Sequence, residues 1–233
     1  MHPIQEFLLD KVGVPAIASF VWWTAIFQYA GAIWAGFRDK SHNIPIAVSC
    51  FFFAHDVTYI ILGLPGRWSF LVWIAGHLCV TYQIIAYSRK ELGIGNTWLQ
   101  ALGTYAIIQT GMAILVLWMK DLMNDTTHAK LIGVMFVICQ LFLIPMLMSR
   151  GSRKGQSLLT AWMLLLQAAS YFFILRPLQA PEMGTPIFYL AGVATTLLSA
   201  VYLWMLYHAP RYNAGSIERE DSSTLIPVGG AVS

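Results

Sequence analysis

The sequence predicts an all-α polytopic membrane protein, a bundle of seven transmembrane helices. The first observation behind this prediction is composition. Hydrophobic residues make up 58% of the 233-residue chain, charged residues only 11%, and the mean hydropathy is +0.63. A soluble domain usually carries about a quarter charged residues. Because 14 basic and 11 acidic side chains are too few to cover a water-exposed surface, soluble enzyme folds, nucleic-acid binders and disordered chains are disfavoured.

The second observation is a series of apolar stretches, each close to the ~20 residues that a helix needs to cross a bilayer. The seven stretches cover residues 14–36, 45–63, 68–88, 99–119, 129–148, 157–175 and 186–207. Short polar breaks separate them and leave no room for a soluble domain. We therefore expect one membrane domain over residues 1–208, with neighbouring helices mostly antiparallel, and a flexible polar tail over 209–233. No cleavable signal peptide is expected, because acidic residues lie among the first ten.

The distribution of lysine and arginine predicts the orientation. The N-terminus and the connections after helices two, four and six carry five of these residues, whereas the other connections and the tail carry nine. Cytoplasmic loops hold the excess of positive charge. The N-terminus is therefore expected outside or in the lumen and the C-terminus in the cytoplasm. The expected membrane is the endoplasmic reticulum for a fungal protein and the plasma membrane for a bacterial one.

Asp56 is the one acid inside a predicted span, and the one lysine or arginine within the predicted bounds is Lys130, at the very start of 129–148. An acid at that depth costs about 2.5 to 3.5 kcal/mol on insertion scales. Because burial disfavours the ionised form, we expect a neutral carboxylic acid, and such an acid can donate a proton in catalysis. The alternative is an interhelical hydrogen-bond anchor.

Helical spacing identifies the neighbours of the acid. Phe52 and Tyr59 share its face of the helix, so Tyr59 is expected to position the acid or to contact substrate. His55 lies about 100° around the helix, and a tuning role and a packing role remain equally open. His77 is the other histidine well inside a span, and it can share a proton with Asp56 if the two face one cavity.

Aromatic side chains make up 14% of the chain, and several lie deep in the predicted spans. Their rings either pack the bundle or line a pocket that stabilises a carbocation through its π faces. The aromatic candidates for substrate binding are Trp23, Phe52, Trp73, Tyr82 and Trp162. Glutamines near the centres of spans, such as Gln28 and Gln167, are expected to join helices by hydrogen bonds.

No cofactor or metal is expected. Cys50, Cys79 and Cys139 all lie in apolar stretches, without the spacing of a disulfide framework or a metal site. We interpret them as small buried hydrophobes. The sequence also lacks an Asp-rich cation site, a phosphate-binding glycine loop and a histidine cluster.

Two segments of the sequence resemble a known family. Residues 55–59 read HDVTY, after GFRDK at 36–40 and IPI at 44–46, and residues 149–157 read SRGSRKGQS. They resemble the small integral-membrane terpene cyclases of fungal meroterpenoid and indole-diterpene pathways, typified by the pyripyropene and paxilline cyclases. That family has seven predicted spans, a Trp-Glu-x-x-Tyr signature in the second, and an Arg-Gly-Ser-x-x-Gly-x-Ser segment between the fifth and sixth. The resemblance places Asp56 at the catalytic glutamate, Tyr59 at the tyrosine and His55 at the tryptophan.

The chain departs from the family pattern in its last span. There the family uses an acid about three residues before a tyrosine, and here Ser199 precedes Tyr202. We count both among the substrate-binding candidates. If the second acid is needed to cyclise a polyene, this chain opens an epoxide without building a polycycle. His55 and His77 are candidates for the missing acid's role.

The resemblance implies cofactor-independent protonation of an epoxide or terminal alkene, followed by capture of the cation inside the substrate. One alternative is an epoxide hydrolase or isomerase in which His55 and Asp56 activate water. A second is a proton-coupled carrier with Asp56 as its proton site. A retinal protein is disfavoured, because the last span has no lysine. The expected partners are a lipophilic small molecule and the bilayer, with no nucleic acid and with the oligomeric state left open.

Overall fold

The computed structural model describes residues 7, 10–64, 67–126, 128–180 and 183–212. Within those ranges the chain forms seven helices and no strand. They are α1 (Val14–Arg38), α2 (Ile46–Ile61), α3 (Leu71–Tyr87), α4 (Trp98–Leu122), α5 (Ala129–Arg150), α6 (Leu158–Gln179) and α7 (Pro186–His208). The all-α prediction is confirmed for these residues. Most of the predicted tail, from residue 213 onward, lies outside them.

Six of the seven helices are long and apolar enough to cross a membrane. The exception is α2, whose 16 residues span about 24 Å at 1.5 Å per residue, against a hydrocarbon core of about 30 Å. Half of its residues are buried, because α2 packs against α3, α4 and α5. The predicted stretch 45–63 is thus shorter as a helix than the sequence suggested.

Local sequence accounts for the ends of the helices. Prolines occupy the first turns of α1 and α7, where a missing N–H costs no helical hydrogen bond. Thr97 and Gln100 form a capping box at the start of α4. Gly151 ends α5 with a φ of +58°, a conformation that favours glycine.

The helix α6 has an irregular second half. Its α-helical part covers Leu158–Ser170, a π-helical turn follows at Tyr171–Leu175, and one last turn covers Arg176–Gln179. This helix packs against both α1 and α7, and α7 packs in turn against α5. The π turn is therefore held inside the bundle, next to α1.

Successive helices alternate in direction, so the connections gather at two ends of the bundle. The clamp end comprises the α1–α2, α3–α4 and α5–α6 connections and the residues after α7. The cavity end comprises the start of α1 and the α2–α3, α4–α5 and α6–α7 connections.

Arg150 is the centre of the clamp end. Its Nη1 donates to the carbonyl oxygens of His42 (2.9 Å) and Lys154 (3.0 Å). Its Nη2 lies 3.0 Å from Nδ1 of His42 and 3.1 Å from a carboxylate oxygen of Glu91. Burial, together with the charges of Arg150 and Lys154, lowers the pKa of His42 to about 3. The imidazole is therefore neutral at neutral pH, and three connections are tied together by one side chain.

The segment at 149–157 completes this clamp. The backbone N–H of Gly155 donates to Asp39 (2.8 Å), and the side chain of Asn43 donates to the carbonyl oxygen of Gly155 (2.6 Å). A Cβ at Gly155 would lie 2.6 Å from the carbonyl oxygen of His42, at a φ of +69°. Arg153 donates through Nε to the carbonyl oxygen of Ala209 (3.0 Å). The second family-like segment thus joins helix ends and lies away from Asp56.

Candidate active site

Asp56 lies on α2 with an imidazole at each carboxyl oxygen. Its Oδ1 is 2.7 Å from Nδ1 of His55, and its Oδ2 is 2.9 Å from Nε2 of His77 on α3. All three residues are buried. We refer to these three residues as the acid–imidazole cluster. The sequence predicted that His77 and Asp56 can share a proton only if they face each other, and the structure brings them into contact.

The cluster changes the interpretation of the acid. Because the interiors of the spans lack lysine and arginine, the sequence predicted a carboxyl group without a cationic partner. The structure corrects this, because two imidazoles serve as partners instead. Each can donate an N–H to a carboxylate oxygen, and one further proton on the cluster makes it a proton donor. His55 lies about 100° around the helix from Asp56, but its ring is long enough to reach the Asp56 carboxyl.

His77 is held by a stacked ring and by a hydroxyl group. The ring of Phe53 stacks on it with centroids 5.3 Å apart and 15° between planes. The hydroxyl of Tyr29 on α1 lies 3.3 Å from both ring nitrogens of His77. These contacts restrict the orientation of the imidazole ring. Three helices therefore determine where the Asp56 carboxyl points.

His55 faces a further buried histidine. Its ring centroid is 5.1 Å from that of His128, the residue that precedes α5 with a φ of +59°. Burial, and secondarily the nearby His55, lowers the pKa of His128 to about 4. Among the described residues, neither ring nitrogen of His128 nor Nε2 of His55 has a hydrogen-bond partner. Two facing imidazoles with unused polar atoms thus lie beside the acid.

A cavity of about 290 Å³ adjoins the acid–imidazole cluster. Five helices and the turn before α3 line it. The lining residues are Ala18, Val21, Trp22, Ala25, Gln28, Tyr29, Phe52, His55, Asp56, Phe70, Trp73, Ile132, Met135, Phe136, Gln167, Tyr171, Leu175, Arg176 and Gln179. The α1 members recur at intervals of three and four residues and so form one face of that helix. The result is a mostly apolar chamber in which seven of the nineteen lining residues are aromatic.

The aromatic lining is built as a packed set of rings. Trp22 and Trp73 meet edge to face with centroids 4.9 Å apart and 72° between planes. The ring centroids of Tyr29 and Trp73 are 5.4 Å apart. Ring faces of this kind attract a positive charge, most strongly for tryptophan. The chamber is therefore suited to an apolar ligand that carries a transient cation.

The structure brings some of the predicted substrate-binding residues to this cavity and not others. Phe52 and Trp73 line it. Trp23, Tyr82 and Trp162 do not, because these side chains are 56%, 46% and 51% exposed on the outer face of the bundle. The sequence prediction for them is not supported by their position.

The remaining candidates are also displaced from the cavity. Ser199 is buried in α7 and donates to the carbonyl oxygen of Thr195 (2.8 Å), while Tyr202 donates to Gln156 (2.7 Å). The rings of Tyr59 and Phe70 stack with centroids 4.1 Å apart, and of the two only Phe70 lines the cavity. Tyr59 thus supports the wall from behind.

Sequence reasoning missed several residues of the site. The predicted sixth span ends at residue 175, whereas α6 continues through Arg176 and Gln179. His128 was placed in the connection before α5. Trp22 is not among the aromatic candidates for substrate binding, although it lines the cavity next to Trp73. The sequence does not show which side of α1 faces the cavity, so it does not indicate whether Trp22 or Trp23 lines it.

The long apolar helices make this chain an integral membrane protein. Comparison with protein families then defines it further: the Pyr4-like transmembrane terpene cyclases match residues 5–212, so the chain belongs to that family. This confirms the resemblance found in the two sequence segments. Searches of curated proteins and of solved structures gave no match to this chain.

Proposed function

We propose that this protein opens and cyclises the epoxide of a lipophilic terpenoid or polyketide in natural-product biosynthesis, without a cofactor, and that Asp56 is the proton donor. Membership of a terpene cyclase family supports the cyclase activity. The observation that carries the role of Asp56 is its position, since it touches two imidazoles and lines an aromatic cavity.

The proposed reaction is a balanced isomerisation. The Asp56 carboxyl gives its proton to the epoxide oxygen, and the C–O bond to the more substituted carbon breaks. An internal π bond or hydroxyl of the substrate attacks the resulting cation. The last intermediate loses a proton, which returns to the acid–imidazole cluster and restores the starting state. Trp22 and Trp73 stabilise the cation, and the apolar walls keep out water that would capture it early.

The decisive experiment compares wild type with Asp56→Asn in microsomes supplied with terpenoid epoxides. Asparagine keeps the size of the side chain but has no proton to donate, so we expect activity to fall about 10²- to 10⁴-fold, the usual value of a general acid. Asp121→Asn is the matched control, because its side chain is 83% exposed. An Asp56→Asn protein that is folded and fully active would disprove the proposed role.

The mass of the product separates the proposal from its alternatives. A cyclase gives an isomer of the substrate, and a hydrolase gives a product heavier by one water, labelled when the reaction runs in H₂¹⁸O. The acid–imidazole cluster is compatible with water activation, which is why both masses must be sought. Substrate that is moved across the membrane unchanged would instead favour a proton-coupled carrier.

We also propose that all seven helices cross the membrane, with the N-terminus lumenal and the C-terminus cytoplasmic. The excess of lysine and arginine at the clamp end supports this orientation. Cysteines introduced at Lys40 and Asp121 test it with a membrane-impermeant maleimide. In intact microsomes we expect labelling at position 40 and none at 121, which should react only after permeabilisation. The reverse pattern would overturn the orientation.

A further inference from the structure

Arg176 is a positive charge on the wall of the candidate active site. It follows the π turn of α6 and lines the cavity. Its guanidinium carbon lies 5.1 Å from the centroid of the Tyr171 ring, and its Nη1 donates to Oε1 of Gln179 (3.2 Å). Two neighbours on the same helix thus hold the guanidinium plane in place.

This arginine lacks the acidic partner that two other arginines, Arg38 and Arg150, have. Arg38 pairs with Asp39, and Arg150 pairs with Glu91. Among the described residues, no carboxylate oxygen lies within 4.0 Å of the Arg176 guanidinium. Its Nε is buried and has no hydrogen-bond partner in that part of the chain.

A buried N–H without an acceptor is costly, since it loses its hydrogen bonds to water and gains none. Here the group lies at a cavity, so a bound molecule can supply the missing acceptor. An arginine presents parallel N–H groups in a rigid plane, which matches the two oxygens of a carboxylate or a comparable oxyanion. The remaining walls of the cavity are mostly apolar and suit a hydrocarbon tail.

We infer that Arg176, oriented by Gln179, binds an anionic oxygen head group of the substrate, a carboxylate or an ionised enol. This inference rests on the proposed function and specifies its substrate class. The substrate is an amphipathic terpenoid with an oxyanion at the α6 side of the cavity and its reactive epoxide at Asp56 on α2. The aromatic rings between them contact the hydrocarbon chain.

The test measures binding and needs no turnover. The full-length protein in maltoside micelles is titrated with a C15 isoprenoid carboxylic acid and with its methyl ester, followed by quenching of tryptophan fluorescence. Trp22 and Trp73 line the cavity and report its occupancy. Maltosides contain no anionic oxygen, so only the probe supplies one and a lipid phosphate cannot. Adding phosphatidylglycerol shows whether a lipid phosphate competes for the same arginine.

For the wild type we expect the acid to bind about tenfold more tightly than the ester, as one charge-assisted hydrogen-bonded pair implies. Arg176→Gln should remove that preference while changing the affinity for the ester little. Arg176→Lys keeps the charge without the planar pair of donors, so it should retain part of the preference. Arg211→Gln, at an exposed position of the clamp end, should leave the preference at tenfold.

Equal binding of acid and ester to the wild type overturns the inference, as does an unchanged preference in Arg176→Gln. If phosphatidylglycerol quenches and the acid has no advantage, the arginine binds lipid and the inference also fails. If Arg176→Gln does not fold, Arg176→Lys provides the test. Should Arg176 be purely structural, the Arg176→Lys protein would prefer the acid over the ester as strongly as the wild type does. Asp56→Asn should keep the preference for the acid over the ester. The binding test can therefore succeed even if the proposed catalytic role of Asp56 is wrong.

Discussion

The two ends of the bundle differ in what their polar side chains contact. At the clamp end, Arg150, Asp39 and Asn43 direct their hydrogen bonds at neighbouring loops and at Glu91. At the cavity end, polar atoms of His55 and His128 are buried with no partner among the described residues. The first arrangement holds helices together, and the second leaves hydrogen-bonding capacity for a ligand.

The difference has an energetic meaning. Each unsatisfied buried polar group costs about 1 to 3 kcal/mol, so these groups destabilise the cavity end. The clamp end also has such atoms, for example Oγ of Ser41 and Oδ1 of Asn43, but its loops make several hydrogen bonds to one another. Hydrogen bonds at the clamp end help to offset this cost, because they tie the α1–α2 and α3–α4 connections and the end of α7 to the α5–α6 connection. The cavity and the clamp lie at opposite ends of the same helices.

The largest effect is expected from removing the central clamp residue. Arg150→Gln breaks the ion pair with Glu91 and leaves the carbonyl oxygens of His42 and Lys154 without a donor. We expect a loss of about 3 kcal/mol in the free energy of unfolding, because two carbonyl oxygens lose a charged donor; Glu91 is 41% exposed and can be hydrated instead. Thermal unfolding in detergent measures it. The same substitution at Arg176 should change the melting temperature far less, and equal losses at both positions would break the comparison.

Acid pH should also weaken the clamp end. His42 has a pKa of about 3 in the folded protein, below its ordinary value of 6.5, so the unfolded chain binds more protons between these values. Stability is therefore complete above pH 6.5 and is lost as the pH falls toward 3. At pH 5 the loss from His42 is about 2 kcal/mol.

The variant His42→Asn isolates this contribution. His128 acts in the same direction at the cavity end, with a pKa of about 4, so the wild type loses stability from both histidines. Melting curves at pH 7 and pH 5 should show a smaller decrease in His42→Asn than in the wild type. An identical decrease in the two proteins would mean that the clamp histidine does not titrate as described.

The smallest effect compares two tryptophans. Trp73 lines the cavity, whereas Trp162 is exposed on the outer face. We expect Trp73→Leu to lower kcat/KM about fivefold or more, since a cation–π contact is worth about 1 kcal/mol. Trp162→Leu should leave kcat/KM within twofold of the wild type. Equal losses would mean that the substrate path includes the outer face.

Much of the fold was predictable from hydropathy. The stretches predicted at 14–36, 129–148 and 186–207 correspond to Val14–Arg38, Ala129–Arg150 and Pro186–His208. A polar break ends each apolar run, and the helices stop within about two residues of it. Hydropathy failed for α2, because a helix surrounded by others is buried by protein and its length need not match the bilayer.

The site was predictable only where one residue is chemically unusual. Asp56 stands out as an acid in an apolar run, and spacing then led to Phe52. Trp22 and Trp23 are chemically identical neighbours about 100° apart, so only the packing of α1 decides which one meets the cavity. His128 was missed because its position depends on a backbone turn that apolar periodicity does not encode.

Arg176 shows a further limit of periodicity. In a regular α-helix it would lie about 140° around from Tyr171, five residues earlier, and the two side chains would not meet. The π turn between them has i to i+5 hydrogen bonds and brings both to one side. No property of the apolar run signals that turn.

The same π turn sets how the length of α6 can vary among related chains. A π turn amounts to one extra residue accommodated in an α-helix, so deleting one residue between Ser170 and Arg176 would restore a regular helix. The arginine would then be the fourth residue after Tyr171 and would still face the cavity. In relatives that lack one residue here, the arginine is expected to face the cavity still, at a position one residue earlier in the chain. Counting residues from Ser170 in an ungapped alignment would assign the wrong residue to this wall.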